Sequence, residues 1–253
     1  MTLWEHLDEL RGRMVKMILF FLIGAIASWI YKEQLFGILT HPYVQAGGKK
    51  LHFPAPAAMF LSYIRLSALC GLVFALPLIL YQIWAFIAPG LYSREKRFAA
   101  PFVVSSCALF AGGGYFCWKV AAPVAFQYLL SFKGGSIPGG IEIQDTVMVS
   151  DYLEFVSHML LAFGLAFEMP VLVFFLSVAG LVTHKDLIKF FRYFIVVAFI
   201  IAAVLTPPDP LSQLLLAIPL CMLYGISILV AFIFARRREV PAPEAEPNQS
   251  SRA

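Results

Sequence analysis

The sequence is short of charged residues: only 13% of its 253 residues are Asp, Glu, Lys or Arg, whereas 60% are hydrophobic. A soluble globular protein carries about twice that share of charge, so the composition argues against a soluble enzyme or binding domain. The charges are confined to short stretches, which leaves apolar blocks of about 20 residues, the length that crosses a bilayer as a helix. We therefore predict an all-α membrane protein.

Signatures of catalysis and metal binding are also missing. The sequence contains no HExxH, paired-cysteine, GxSxG or phosphate-binding glycine motif. Its four cysteines lie inside apolar segments, where a thiol behaves as a small hydrophobe. The net charge of +4 is modest, and no basic face with interleaved aromatic residues indicates a nucleic-acid partner. We predict no enzymatic activity, cofactor, metal ion or nucleic acid for this chain.

Six apolar segments are predicted to span the membrane. They cover residues 14–31, 66–87, 98–118 (with a possible extension to 126), 152–180, 193–205 and 211–235. The fourth must kink or tilt, most simply at Pro170. The fifth would be about 20 Å long, short of a roughly 30 Å hydrocarbon core. A start near Leu187 is the alternative for the fifth helix, and a proline-rich turn at 206–210 separates it from the sixth.

The distribution of Lys and Arg predicts that both termini are cytoplasmic. With six spans, the termini share one side with the second and fourth loops, and that side holds thirteen of the nineteen basic residues. Basic loops remain in the cytoplasm. Residues 2–13 are predicted as an interfacial helix, because their leucines fall on one face. Residues 1–235 then form one domain, and 236–253 form a basic and then disordered cytoplasmic tail.

Two carboxylates at the predicted cytoplasmic edge are candidates for binding a cation. Glu5 and Glu9 lie four residues apart, a like-charge pair that would attract an external cation, although Glu9 could instead pair with Arg13 one turn on. Glu95 lies where a helix capped by Ser93 would begin, which is a sufficient structural role. The aromatic residues before it would also suit a guanidinium. Spacing alone leaves both interpretations open.

Glu168 differs because apolar sequence surrounds it on both sides. A charged carboxylate at the bilayer centre costs roughly 2.5–3.5 kcal/mol, so it should face protein, water or a partner. Pro170 has no N–H to donate to the carbonyl of Ala166, which leaves a polar backbone group without its helical hydrogen bond. A neutral, hydrogen-bonded structural glutamate is the alternative. An ion-coupled secondary transporter using Glu168 is a second hypothesis, although such proteins usually show matched broken helices.

Other polar residues have mainly structural interpretations. Asp209 is placed to cap the sixth span, with Pro210 at its first helical position. Gln213 lies one turn further and can hydrogen-bond another helix. His158 is predicted to be a satisfied interior histidine. The three glycines at 112–114 are predicted to permit close helix packing.

Several motifs resemble the TatC family, the multi-spanning receptor subunit of the twin-arginine protein translocase. They are His6-Leu7-x-Glu9-Leu10-Arg11-x-Arg13, then Tyr81-Gln82-x-Trp84-x-Phe86-x-x-Pro89-Gly90-Leu91-Tyr92-x-x-Glu95, then Ala162-Phe163-Gly164-x-x-Phe167-Glu168-x-Pro170, then Leu205-Thr206-Pro207-Pro208-Asp209 with Gln213, and Pro219 near Leu223-Tyr224. Their number and order make the resemblance specific from about residue 3 to residue 235.

The resemblance implies a fold and a set of site residues. Six helices would form a concave, glove-like arrangement with short fifth and sixth helices. Signal-peptide binding at the cytoplasmic face would involve Glu9, Arg11, Phe86 and Glu95. Partner helices would bind at Glu168, Thr206 and Gln213, and Pro42, in the first outward loop, and Asp209 match further functionally sensitive positions.

The resemblance also implies a function without catalytic turnover. The chain would bind the Arg-Arg signal peptide of folded precursors and recruit single-span TatA and TatB partners for export driven by the proton-motive force. It would lie in the bacterial cytoplasmic membrane and self-associate in a multi-copy complex. Two carboxylates presented to two guanidinium groups can form several charge-assisted hydrogen bonds, which is chemically consistent with that role.

Overall fold

The computed structural model describes residues 3–87, 99–132, 136–137, 141–142, 146–178, 182–206 and 210–235. Nine α-helices occur in these ranges: α1 Leu3–Ile30, α2 Lys32–Gln45, α3 Pro56–Ile87, α4 Ala99–Phe116, α5 Ala122–Ser131, α6 Val149–Phe167, α7 Met169–Val178, α8 His184–Leu205 and α9 Pro210–Ala235. A π-helical segment, Cys117–Ala121, joins α4 to α5. Two short antiparallel strands, β1 Ser136–Ile137 and β2 Ile141–Glu142, form a hairpin.

Six helical segments within the described ranges are long and apolar enough to cross a bilayer. They are Trp4–Ile30, Pro56–Ile83, Pro101–Ser131, Val149–Ser177, His184–Leu205 and Pro210–Ile233. The predicted all-α architecture with six spans is therefore confirmed. The fifth and sixth are the shortest of the six, at 22 and 24 residues.

The fifth span begins earlier than its predicted start at Tyr193. Thr183 and Asp186 form a capping box: the Thr183 N–H donates to the Asp186 carboxylate (3.1 Å), and the Asp186 N–H donates to the Thr183 hydroxyl (3.3 Å). Because the box satisfies backbone donors at the helix start, α8 begins at His184. The alternative prediction, a start near Leu187, is therefore closer to the structure than a start at Tyr193. The helix is about 33 Å long and can cross a roughly 30 Å core.

Two segments outside the predicted spans are helical. The N-terminal segment predicted as an interfacial helix leading into the first span is continuous with it, since α1 is one helix of 28 residues. The first outward connection contains α2, which we predicted as loop. Pro42 lies inside α2 and is buried, so the prediction that it lies in a loop is wrong.

Close backbone contacts join neighbouring helices at glycines. A Cβ on Gly24 of α1 would lie 2.6 Å from the carbonyl oxygen of Gly71 in α3. In α4, a Cβ on Gly113 would lie 2.5 Å from the carbonyl oxygen of Phe163 in α6. The predicted close packing of the 112–114 glycines is therefore confirmed at Gly113, whereas a Cβ on Gly112 would meet no atom within 4 Å.

The fourth span breaks at the predicted place. Glu168 separates α6 from α7, and Pro170 lies in the first turn of α7, where its missing N–H costs least. The Leu172 N–H donates to the Glu168 carbonyl oxygen (2.9 Å), which restores the helical pattern. The break therefore places an acidic side chain at a junction of two half-helices.

An aromatic cluster packs α2, α5 and α6 together at the end of the bundle where α6 begins. The ring of Tyr152 stacks on Phe126 at 5.1 Å and meets Tyr43 edge-on at 5.4 Å. The Tyr152 hydroxyl donates to the Leu39 carbonyl oxygen (2.6 Å), and the Tyr43 hydroxyl donates to the Lys50 carbonyl oxygen (3.0 Å). The polar tips of these buried rings are thus satisfied by backbone acceptors.

Candidate functional site

The first candidate site lies where α1 begins and α3 ends. These helices are antiparallel neighbours, so the first turns of α1 meet the last turns of α3. The rings of His6 and Phe86 stack there, with centroids 4.4 Å apart and planes at 16°. Phe86 is half-buried, and His6 is exposed. The aromatic residue predicted at this site therefore packs against the same helix that carries Glu9.

Glu9 forms an ion pair one turn further along α1. Arg13 donates from Nε to Glu9 Oε1 at 3.0 Å and also donates from Nη2 to the same oxygen. Arg13 Nη1 donates to the side-chain oxygen of Gln82 in α3 at 3.3 Å. The pairing considered as the structural alternative for Glu9 is thus present, and it extends to a second helix.

The second carboxylate oxygen of Glu9 takes no part in this ion pair. Oε2 is buried and accepts no hydrogen bond from any residue in the described part of the chain. A buried anionic acceptor without a donor costs free energy, because it has lost water and gained no replacement. The site therefore retains one unused acceptor of the kind that a cationic donor would satisfy.

The remaining residues predicted for this site are placed as follows. Arg11 is exposed on α1 and takes no part in the Glu9 pair. Glu95 lies outside the described residues. His6, Arg13 and Gln82 were not predicted as site residues, although all three belong to the motifs quoted above. The spacing of Arg13 from Glu9 predicted their pairing as the structural alternative, but a partner 69 residues away, such as Gln82, has no local signal.

Glu168 occupies the second candidate site, at the junction of α6 and α7. Its side chain is half-buried, and Oε1 is buried without a hydrogen-bond partner among the described residues. Ser106 and Cys107 of α4 are its polar neighbours. Apolar helix surrounds this carboxyl, as the sequence predicts, and its unsatisfied oxygen makes it a candidate for an external partner.

Thr206 and Gln213 lie at a different level of the bundle. Thr206 ends α8, is buried, and donates from its hydroxyl to the Ala202 carbonyl oxygen (2.8 Å). Gln213 is half-buried in the first turn of α9. Thr206 lies beside the first turns of α6, at residues 151–158, whereas Glu168 follows the end of that helix, about 15–25 Å further along its axis. The three predicted partner-binding residues therefore do not form one patch.

A polar pocket of about 340 Å³ contains Thr206 and separates the start of α6 from the end of α8. Its lining residues are Asp151, Glu154, Phe155, His158, Val204, Leu205 and Thr206. His158 is exposed, so its prediction as an interior histidine is wrong. Sequence reasoning missed this pocket, although the spacing of its three titratable residues along α6 places them on one helix face.

Other predicted positions have simpler outcomes. Pro210 is the first residue of α9, as predicted, and Asp209 lies outside the described residues. Within the described ranges, no group of three or more His, Cys, Asp or Glu side chains is arranged to hold a metal ion. A second, apolar cavity of about 450 Å³ lies between α2, α3, α4 and α6.

Comparisons with known proteins agree with the motifs. Residues 5–219 match the family model described as "Sec-independent protein translocase protein (TatC)". The TatC protein of Desulforapulum autotrophicum is 39% identical over 96% of this chain and 89% of its own length. The TatC protein of Aquifex aeolicus is 38% identical over 94% of this chain and 98% of its own length.

A solved structure agrees as well. A crystal structure described as the twin-arginine translocase receptor TatC superposes with a TM-score of 0.80 at 37% identity, covering 90% of this chain and 98% of that one. Sequence and fold therefore agree along almost the full length. The chain belongs to the TatC family of Sec-independent protein translocase proteins.

Proposed function

We propose that this multi-pass membrane protein is the subunit of a twin-arginine translocase that captures the Arg-Arg pair of export signal peptides. Glu9 and Glu95 would accept the two guanidinium groups, with Phe86 and Arg11 beside them. The observation that carries this proposal is the buried Oε2 of Glu9, which lacks a donor among the described residues. A solved relative described as a twin-arginine translocase receptor supports it.

The chemistry of the site suits a guanidinium. A carboxylate oxygen accepts charge-assisted hydrogen bonds, and a flat aromatic surface can stack on the guanidinium plane. The stacked pair of His6 and Phe86 lies one helical turn from Glu9. A signal arginine entering this end of α1 would therefore meet both an acceptor and an aromatic surface.

We place this end of the bundle in the cytoplasm and the chain in the bacterial cytoplasmic membrane. Thirteen of nineteen basic residues lie on the side that holds both termini, and basic loops stay on the cytoplasmic side. Signal peptides of precursors folded in the cytoplasm would then reach Glu9 without crossing the membrane.

Recruitment of single-span TatA and TatB proteins is the second part of the proposed function. Glu168, Thr206 and Gln213 would contact their helices, at two levels of the bundle. The unsatisfied oxygen of Glu168 supports this assignment, because a polar group on a partner helix would supply its missing hydrogen bond. Several copies of the chain would assemble with these partners, and the proton-motive force would drive export.

Known TatC proteins are named as translocase components, a transport role rather than catalysis. The hypothesis of an ion-coupled secondary transporter relied on Glu168 alone. The family comparisons give it no support, and an intramembrane acid that contacts partner helices accounts for the same residue.

Co-purification with a precursor tests the signal-binding part. The chain should retain an Arg-Arg precursor and lose most of a matched Lys-Lys precursor. Glu9→Gln removes the charge at nearly constant shape, so retention of the Arg-Arg precursor should fall about tenfold, the scale of one lost charged hydrogen bond. Glu95→Gln should have an effect of the same direction.

Glu33→Gln is the matched control, because Glu33 is an exposed acid in the first turn of α2, at the opposite end of the bundle. It should leave precursor retention unchanged. Equal retention of the precursor by wild type and by the Glu9→Gln, Glu95→Gln double variant, with both proteins folded, would overturn the proposed receptor function.

A further inference from the structure

The Glu9 carboxylate is held by one oxygen only. Both Arg13 nitrogens that reach it, Nε and Nη2, donate to Oε1 rather than one to each oxygen. The usual fork between a guanidinium and a carboxylate uses both oxygens. This arrangement therefore fixes Oε1 and leaves Oε2 unused.

Gln82 sets the orientation of Arg13. Its side-chain oxygen accepts from Arg13 Nη1 at 3.3 Å, and Gln82 is buried within α3. Arg13 thus has one nitrogen committed to α3 while the other two reach Glu9 on its own helix. Because the Arg13 guanidinium donates to Gln82 on one side and to Glu9 on the other, it cannot rotate to offer a donor to Oε2 without breaking one of these hydrogen bonds.

The pair is also sheltered from water. The side chains of Arg13 and Glu9 are 20% and 23% exposed, in contrast to Arg65 and Glu154, which form an ion pair at 57% and 56% exposure. Sheltered charge pairs are screened less than exposed ones, so their geometry is held more firmly. The direction in which Oε2 points is therefore a fixed property of the folded chain.

We propose that Arg13 and Gln82 are positioning residues that determine the preference for arginine over lysine in the signal. This inference rests on the proposed signal-binding function and adds a residue-level source of its specificity. An oxygen held in one direction favours a planar, directional guanidinium, whereas an ammonium is a compact point charge that accepts many approach directions. If the carboxylate rotates freely, the difference in affinity between an Arg-Arg signal and a Lys-Lys signal becomes smaller.

The test measures the affinity of full-length protein for two synthetic signal peptides that differ only in Arg-Arg against Lys-Lys. The measured quantity is the dissociation constant of the Lys-Lys peptide divided by that of the Arg-Arg peptide. Gln82→Met removes the acceptor at similar side-chain volume, and Arg13→Lys keeps the charge but cannot reach Glu9 and Gln82 together. Each should lower the ratio about fivefold, the scale of one hydrogen bond.

Two further variants separate positioning from general damage. Gln82→Glu keeps an acceptor for Arg13 and should preserve the ratio. Arg65→Lys makes the same exchange in the exposed ion pair at the other end of the bundle and should change neither affinity. The Gln82 variants decide the matter even if Arg13→Lys does not fold, because they leave every charge of the Glu9 pair in place.

Each outcome has a distinct meaning. An unchanged ratio in folded Gln82→Met overturns the inference and leaves the receptor function intact. Equal loss of the ratio in Gln82→Glu also overturns it, since that variant retains the acceptor. Unchanged Arg-Arg affinity in the Glu9→Gln, Glu95→Gln double variant would instead contradict the proposed receptor function itself.

Discussion

Gly24 and Gly71 bring the backbones of α1 and α3 into direct contact. A Cβ on Gly24 would approach the Gly71 carbonyl oxygen to 2.6 Å, and a Cβ on Gly71 would meet the backbone of Ala25. Because α1 packs mainly against α3, this glycine pair sets the position of the whole first helix. It also holds Glu9 and Gln82, one on each helix, within reach of the same arginine.

Gly71→Ala is therefore expected to separate α1 from α3. Its methyl group would strike backbone rather than a flexible side chain, and overpacking of this kind costs about 1–3 kcal/mol. The unfolding temperature of the purified protein should fall, as measured by loss of the monodisperse gel-filtration peak after heating. Gly112→Ala adds a methyl where no atom lies within 4 Å and should not lower it.

Tyr152→Phe tests the aromatic cluster. The variant keeps the ring but removes the hydroxyl that donates to the Leu39 carbonyl oxygen at 2.6 Å. Loss of a buried hydrogen bond costs about 0.5–1.5 kcal/mol, so the unfolding temperature should fall. Tyr115→Phe is the matched control because Tyr115 is 63% exposed. Equal stability of the two variants would show that the buried hydrogen bond contributes nothing.

Thr183→Ala tests the start of α8. The loss of the side chain breaks the capping box with Asp186, which should destabilise the protein by about 0.5–2 kcal/mol. Amide hydrogen exchange should rise first at residues 184–187, whose N–H groups open the helix. Ser105→Ala removes an exposed hydroxyl that donates within α4 and should leave exchange in α8 unchanged. Exchange equal to wild type at 184–187 would contradict this start of the helix.

Glu168→Ala should affect partner binding rather than stability. Its buried Oε1 has no donor among the described residues, so truncation removes an unsatisfied acceptor, and the unfolding temperature should stay constant or rise. Recovery of a co-expressed TatA or TatB partner should fall about fivefold, the scale of one lost hydrogen bond. Signal-peptide affinity should change less than partner recovery, and the opposite ranking would contradict the assignment.

Hydropathy and helix-breaking residues predicted most of the fold. Apolar blocks reveal membrane spans because the bilayer imposes a length, and Pro170 and Pro210 mark the fourth-span break and the sixth-span start for steric reasons. The first turns of α8 were missed because their charged residues look like a loop. In the structure, the capping box and long basic side chains at the helix end explain how a helix can continue there.

The candidate site was only partly predictable. The spacing of Glu9 and Arg13 allows their pair, because residues four apart on a helix are neighbours. Gln82 joins that pair only through the packing of α3 on α1, which local spacing does not contain. The same reason explains why Thr206 and the acids of α6 were not recognised as lining one pocket.

The unbroken course of α1 has a mechanical consequence. The helix is 28 residues long, about 42 Å, so its charged first turns extend beyond a roughly 30 Å hydrocarbon core. Glu9 lies about 11 Å from the helix midpoint, and a tilt of about 10° therefore swings it sideways by about 2 Å. Because α1 has no break between its membrane span and Glu9, any change in the tilt of the span is transmitted directly to this carboxylate.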